Sequence, residues 1–92
     1  MSEHPYTAAL VATAVALADR AVVADIETAG LRVAGADLPG TRRFDVAGMV
    51  SENEHCSATI DMNSQALAYA FARGLIQAHP THQHLVQITR QP

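Results

Sequence analysis

The feature that most constrains the fold is a strict alternation of apolar and polar residues in two stretches between Phe44 and Met62. A period of two residues is typical of β-strands that bury one face. Five polar residues, 51–55, separate the two stretches and predict the loop of a hairpin. The inward series are Phe44, Val46, Gly48 and Val50 in the first stretch, and Cys56, Ala58, Ile60 and Met62 in the second.

The same alternation predicts the register of the hairpin. Directly opposed residues of antiparallel strands lie on the same face. We therefore expect Val50 opposite Cys56 and Phe44 opposite Met62. A slip of one residue would turn every apolar side chain toward solvent, so the register should be well specified.

In this register the outward face of the hairpin places Asp45 directly opposite Asp61. Opposed like charges are mildly destabilising. One interpretation is a solvated ion-pair cluster in which Arg43, diagonal to Asp61, offsets the repulsion. The alternative is that the acidic pair, with an exposed Met49 beside it, receives a basic side chain of a partner.

The N-terminal part predicts one long helix, over about residues 6–28, because it contains no internal Gly or Pro. Residues 21–24 are an alternative start for a short strand. Two apolar stripes nearly surround the first half of this helix, and a small domain covers only one side of it. The bulkier stripe should face the core, which leaves the other, with Leu10 and Leu17, for an interface. The bulkier stripe is Val11, Val15, Ala18, Val22 and Ile26, and the other is Leu10, Ala14, Leu17, Ala21 and Ala24.

A second helix follows the hairpin. Asn63 or Ser64 is expected to cap it, and His79-Pro80 to end it, because the residue before Pro resists the helical conformation. Gly74 inside this helix indicates a close approach of another backbone. Its apolar face is Leu67, Ala70, Phe71, Gly74, Leu75 and Ala78. Residues 84–90 then predict a short strand, with Val86 and Ile88 inward.

These elements define a single α+β domain over residues 1–92, in the order helix-strand-strand-helix-strand. The sheet should be three-stranded and mainly antiparallel, with helices on one face. If its spatial order is 2-1-3, the last strand lies antiparallel to the first. The boundaries expected are the N-terminal helix at about 6–28, a connection at 30–43 and a ββαβ unit at 44–90. This length and element order resemble those of several small α+β proteins, some of them phage-encoded inhibitors such as anti-CRISPR proteins. The likeness covers length and element order, and no residue motif carries it.

Composition narrows the classes of function. The chain has 92 residues, nine acids, six Arg, no Lys and a net charge of -3, so its scattered basic residues predict no nucleic-acid interface. Apolar residues make up 49% and charged residues 16%, which favours some apolar surface left for a contact.

A single Cys allows no internal disulfide, and residues 7–18 are too short a run to cross a bilayer. Without a basic leader at the N-terminus, we expect a cytoplasmic protein.

Few residues are candidates for chemistry. His55 adjoins Cys56, but neighbours on a strand point to opposite faces, so Cys56 is expected to be a small core residue. His79, His82 and His84 lie close in sequence and are a candidate set of metal ligands. A polar loop leading into the last strand is the simpler interpretation of these histidines.

The sequence therefore predicts a non-catalytic protein-interaction module, with no enzymatic activity, cofactor, metal or membrane contact. The favoured form is a small inhibitor or adaptor that occludes a larger protein. A phage or a mobile element is one candidate source of such an inhibitor. The alternatives are a structural homodimer subunit, or a small metal-binding protein that uses His79, His82 and His84. The candidate protein-binding residues are Arg43, Asp45, Met49, Glu52, Glu54, Asp61, Leu10 and Leu17.

Overall fold

The computed structural model describes residues 5–29, 42–62 and 65–91. The elements in chain order are α1 (Pro5–Ala16), α2 (Arg20–Thr28), β1 (Arg42–Ser51), β2 (Glu54–Met62), α3 (Gln65–Ala78), a 3₁₀ segment (Pro80–Leu85) and β3 (Gln87–Arg90). The three strands form one open antiparallel sheet in the order β2-β1-β3. The α+β class and the three-stranded antiparallel sheet predicted from the sequence are confirmed.

The prediction of a single N-terminal helix is wrong, because Asp19 divides it in two. The Asp19 backbone is extended, and its carboxylate accepts a hydrogen bond from the Val22 backbone N–H at 3.0 Å. This satisfies an N–H that the first turn of α2 cannot pair internally. The alternative of a strand at 21–24 is also wrong, since those residues lie in α2.

The first turn of α2 is fastened to α3 through Gln77. The Asp19 backbone N–H donates to Gln77 Oε1, and Gln77 Nε2 donates to the Asp19 carboxylate, each at 2.8 Å. An ion pair between Arg73 and Asp25 joins the same two helices. These contacts set α2 against α3, where its buried residues Val22 and Ile26 join the core.

The hairpin register differs by two residues from the prediction. Gly48 lies opposite Cys56, and Arg42 lies opposite Met62. A shift of two residues keeps every side chain on its predicted face, so the apolar pattern fits both registers equally well.

A tighter turn explains the shift. Ser51 pairs with Glu54, so the connection is the two residues 52–53 and not five. Val50 is left unpaired between Met49 and Ser51, which makes a β-bulge in β1. The strands therefore reach closer to the turn than the run of polar residues indicated.

The core lies between the sheet and the helices. Helix α3 buries the face predicted for it through Leu75, with Ala78 half-buried at its end, and α1 packs beside α3 and over β2 and β1. Gly74 provides the predicted close approach, because a Cβ placed on it would lie 2.7 Å from the Ala14 carbonyl oxygen. The largest fully buried side chains are Phe71, Leu10, Ile26, Met62, Leu67, Leu75 and Val46.

The last strand is shorter than predicted. Residues 84–85 belong to the 3₁₀ segment, and β3 begins at Gln87. Val86 and Ile88 are half-buried against the core, as expected. Arg42 and Arg43, assigned to the connection, belong to β1; the rest of that connection and both candidate caps, Asn63 and Ser64, lie outside the described residues.

Candidate functional site

The outward face of the sheet is polar, and its charged side chains form hydrogen bonds with other residues of the same chain. Arg43 lies directly opposite Asp61, and its Nε donates to the Asp61 carboxylate at 3.3 Å. Asp45 faces Thr59 and not Asp61, so the predicted acidic pair does not form. The Asp45 carboxylate accepts hydrogen bonds from Thr59 Oγ1 at 3.1 Å and from Gln91 Nε2 at 2.6 Å.

Met49 is buried, with only 4% of its surface exposed, so the expectation of an exposed Met49 is wrong. It lies opposite His55, whose Nε2 is 3.3 Å from the Leu85 carbonyl oxygen. The 3₁₀ segment packs against β1 at this end. His55 and Leu85 thus close over the outward face where β3 no longer covers the edge of β1.

The two acidic residues of the predicted loop lie in different settings. Glu52 is exposed in the turn, and Glu54 is on β2, where its Oε1 lies 3.5 Å from the Cys56 thiol. Glu52 also lines a surface depression of about 360 Å³ with His79 and His82.

The histidines are not assembled as metal ligands. The described part of the chain holds no group of three or more His, Cys, Asp or Glu placed to bind a metal ion. His79 Nε2 is buried without a hydrogen-bond partner, His82 Nδ1 lies 3.1 Å from Thr81 Oγ1, and His84 is exposed. The structure therefore does not bring His79, His82 and His84 to one site.

Cys56 is a buried thiol, and His55 points to the other face, as predicted. Burial raises the pKa of the Cys56 thiol, and the Glu54 carboxylate raises it further by accepting its proton in a hydrogen bond and by its charge. A thiol with a raised pKa is mostly protonated at neutral pH and is a poor nucleophile.

Leu10 and Leu17 have different environments. Leu10 is fully buried, so its assignment to an interface is wrong: it faces α3 and the sheet with Val11 and Ala14. Leu17, at the end of α1, is 61% exposed. The exposed surface of α1 carries no charge, and it consists of the small residues Ala8, Ala12 and Ala16 together with Tyr6, which is 43% exposed.

Strand β2 has an open edge. Within the described ranges it pairs only with β1, over nine residues, Glu54–Met62. It contains no Pro, Lys or bulge, and its two acidic residues, Glu54 and Asp61, lie near its ends. Natural edge strands are usually blocked by such features. The middle of β2 therefore offers unpaired backbone groups to another strand.

The sheet also has a charge polarity from end to end. Glu52 and Glu54 occupy the turn end. At the other end, three of the six Arg line a surface depression of about 550 Å³ with Gln91: Arg42, Arg43 and Arg90. In the described part of the chain, Arg42 and Arg90 form no ion pair.

Among the predicted partner-binding residues, Glu54 and Asp61 lie on β2 and Arg43 lies at the arginine end. The open edge of β2 and the grouping of the arginines were not themselves predicted. A strand order of 2-1-3 already implied an uncovered β2, and the absence of Lys and Pro between Glu54 and Met62 was readable in the sequence. The arginine end was not, because Arg90 joins Arg42 and Arg43 only through the pairing of β3 with β1.

Together these features define a small α+β protein with an open three-stranded sheet, in which β2 pairs only with β1 among the residues that the structure describes. Comparisons with models of protein families, with curated proteins and with solved structures find no match to this chain. Its function is therefore inferred from its own geometry. Along the residues described, no helix is both long and apolar enough to cross a membrane.

Proposed function

We propose that this protein is a non-catalytic interaction module that binds another protein by adding a strand to the edge of β2. The observation that carries the proposal is the bare nine-residue edge of β2. An added strand gains affinity from backbone hydrogen bonds, and the alternating side chains give it specificity. An inhibitor or adaptor that occludes a larger protein is one form of such a module.

The surroundings of β2 support this role. Its outward residues Ser57 and Thr59 are short and exposed, so they leave the edge accessible to another backbone. Helix α1 packs against β2 and contains no charged residue. A bound strand would therefore meet polar side chains on one face and an apolar helix on the other.

A test is to block the edge with charge. In Ser57→Lys/Thr59→Lys, two Lys side chains project from the middle of β2, as on natural protected edges. The matched control Ala21→Lys/Ala24→Lys adds the same charge at exposed positions of α2. Each variant is immobilised and presented both with a tagged second copy of the wild-type chain and with a cell lysate.

We expect the wild type and the α2 control to retain the same protein, and the edge variant to lose it. Equal retention by all three proteins would refute strand addition at β2. Circular dichroism of each variant checks that the fold is intact, since all four substituted side chains are exposed.

A homodimer is the second candidate, and the charge polarity of the sheet favours it. A homodimer could form through the same edge of β2, because a second copy of the chain also presents that edge.

A further inference from the structure

We infer that the strand added to β2 is β2 of a second copy, antiparallel and centred on Ala58, which gives a continuous six-stranded sheet. This inference rests on the proposed use of the β2 edge and names its occupant. A two-fold axis through an antiparallel pair places one residue opposite itself and pairs the others symmetrically. The choice of Ala58 follows from the pairs that this centre creates.

Centring on Ala58 pairs chemically compatible residues. On the outward face, His55 meets Asp61 of the partner subunit, and Ser57 meets Thr59 of the partner subunit. An imidazole opposite a carboxylate and a hydroxyl opposite a hydroxyl are favourable cross-strand pairs. On the inward face, Cys56 meets Ile60 of the partner subunit, so apolar side chains remain on the helix side.

Neighbouring centres give poorer pairs. Centring on Ser57 pairs His55 with Thr59 of the partner subunit and leaves Asp61 opposite position 53, beyond the strand. Centring on Thr59 places Ser57 opposite Asp61 of the partner subunit and leaves His55 beyond the strand. Only the Ala58 centre gives every residue of β2 a partner, because Ala58 is the midpoint of Glu54–Met62.

The antiparallel direction also matches the charged ends of the sheet. It brings the acidic turn end of each copy to the arginine end of the other. Glu54 of the partner subunit lies opposite Met62, and Met62 lies opposite Arg42 on the same face. Two strand spacings, about 10 Å, separate those two backbones, and the long Arg42 side chain spans much of that gap. Parallel addition would set acid beside acid.

The position of α1 fits the same arrangement. Helix α1 packs over both β2 and β1, and a helix centred above the gap between them lies one strand spacing from the two-fold axis. Two such helices are then about 10 Å apart, which is close to the 8–10 Å separation of packed helices. Small residues favour that spacing, and the exposed side of α1 presents Ala8, Ala12 and Ala16.

Cysteine cross-linking tests the register. On a Cys56→Ala background, Ser57→Cys and Thr59→Cys are prepared as separate full-length proteins and oxidised alone or mixed. Directly opposed residues have Cα atoms about 4.5–5.5 Å apart, within the range of a disulfide, whereas a diagonal pair at about 7–8 Å is beyond it.

The inference predicts a covalent dimer in the mixture and none in either protein alone. Self-cross-linking of Ser57→Cys or of Thr59→Cys would place the axis on that residue and overturn the Ala58 register. Ala21→Cys, at an exposed position of α2, measures random collision.

Light scattering across a concentration series, with two charge variants, tests the pairing of 57 with 59. Ser57→Lys/Thr59→Lys sets two like-charge pairs across the axis, and Ser57→Lys/Thr59→Glu replaces them with two attractive pairs. We expect the dissociation constant of the Lys/Lys dimer to rise about tenfold or more, and that of the Lys/Glu dimer to stay near the wild-type value.

The possible outcomes separate this inference from the proposed function. A wild-type monomer at all concentrations, with no mixed cross-link, would overturn the homodimer. If the edge variant then still loses a lysate protein that the wild type and the α2 control retain, the β2 edge serves a foreign strand. If the wild type, the edge variant and the α2 control also retain the same lysate proteins equally, both the homodimer and the proposed strand addition at β2 are refuted.

Discussion

A Cβ atom placed on Gly74 of α3 would lie 2.7 Å from the carbonyl oxygen of Ala14 in α1. The two helices cross at this point with no room for a methyl group, and the obstructing atom belongs to the backbone. The glycine, unfavourable in a helix by about 1 kcal/mol relative to Ala, is therefore what allows α1 to approach α3.

Gly74→Ala should destabilise the protein although it improves helix propensity. Forcing a methyl group into a packed interior costs about 1–3 kcal/mol, and α1 must shift to accept it. Urea unfolding followed by circular dichroism measures the change in midpoint.

The matched variant is Gly48→Ala in β1, whose new Cβ would meet the Leu75 Cδ1 at 3.0 Å. A side-chain tip moves more easily than a backbone carbonyl, so Gly48→Ala should cost less than Gly74→Ala. Equal losses would show that the backbone contact is not what limits α1.

Asp19 should make stability depend on acid pH. The hydrogen bond from the Val22 backbone N–H, followed by that from Gln77, lowers the pKa of Asp19 in the folded chain below the ordinary value of 3.8. Because the pKa of Asp19 is lower in the folded state than in the unfolded state, its ionised carboxylate stabilises the fold at pH values above the unfolded-state pKa. This stabilisation is lost as the pH falls through the folded-state pKa. The loss should therefore occur below about pH 4.

Asp19→Asn separates the charge from the cap, because Asn caps helices about as well as Asp. Thermal unfolding from pH 2 to pH 7 should show a smaller acid loss for Asp19→Asn than for the wild type. Asp19→Ala should lower the midpoint at neutral pH as well. An unchanged pH profile in Asp19→Asn would assign the acid dependence to other carboxylates.

Leu10 and Leu17 should respond differently to truncation. Leu10→Ala removes a fully buried side chain and should cost about 2–5 kcal/mol. Leu17→Ala changes a side chain that is 61% exposed and should lie within about 0.5 kcal/mol of the wild type. Chemical denaturation of the pair checks this, and a large loss in Leu17→Ala would indicate that another surface covers it.

Cys56 should be unreactive in the folded protein. It is buried and its pKa is raised, so a thiol reagent at pH 7 should modify it far more slowly in buffer than in concentrated urea. Ser57→Cys on a Cys56→Ala background places a thiol at the adjacent exposed position and should react promptly in both solvents. Rapid native labelling of Cys56 would show that the end of the sheet opens readily.

Much of the fold was readable from periodicity. The alternation of β1 and β2 and the apolar face of α3 were predicted because side chains alternate along a strand and recur every three to four residues along a helix. The three-stranded, mainly antiparallel sheet followed from these elements. The two-residue error in register arose because a shift of two preserves both faces, and the bulge at Val50 leaves no mark in the apolar pattern.

What could not be predicted depends on single contacts between distant residues. Asp19 reads as one charged residue inside an apolar helix until its partner Gln77, 58 positions away, is known. Met49 belongs to the outward series, yet it is buried at the end of β1, where the 3₁₀ segment packs against that strand. The arginine end forms only when β3 returns beside β1. Tertiary contacts of this kind override local patterns.

The chain order of the elements has a consequence for synthesis on the ribosome. Helices α1 and α2 emerge first, but they pack against elements that follow them in the chain: α1 against the hairpin and α3, and α2 against α3. Nascent chains grow at about 5–20 residues per second, so the N-terminal helices wait several seconds with their apolar faces uncovered. Folding is then completed from the C-terminal half, and fusion partners or chaperones at the N-terminus should influence yield more than those at the C-terminus.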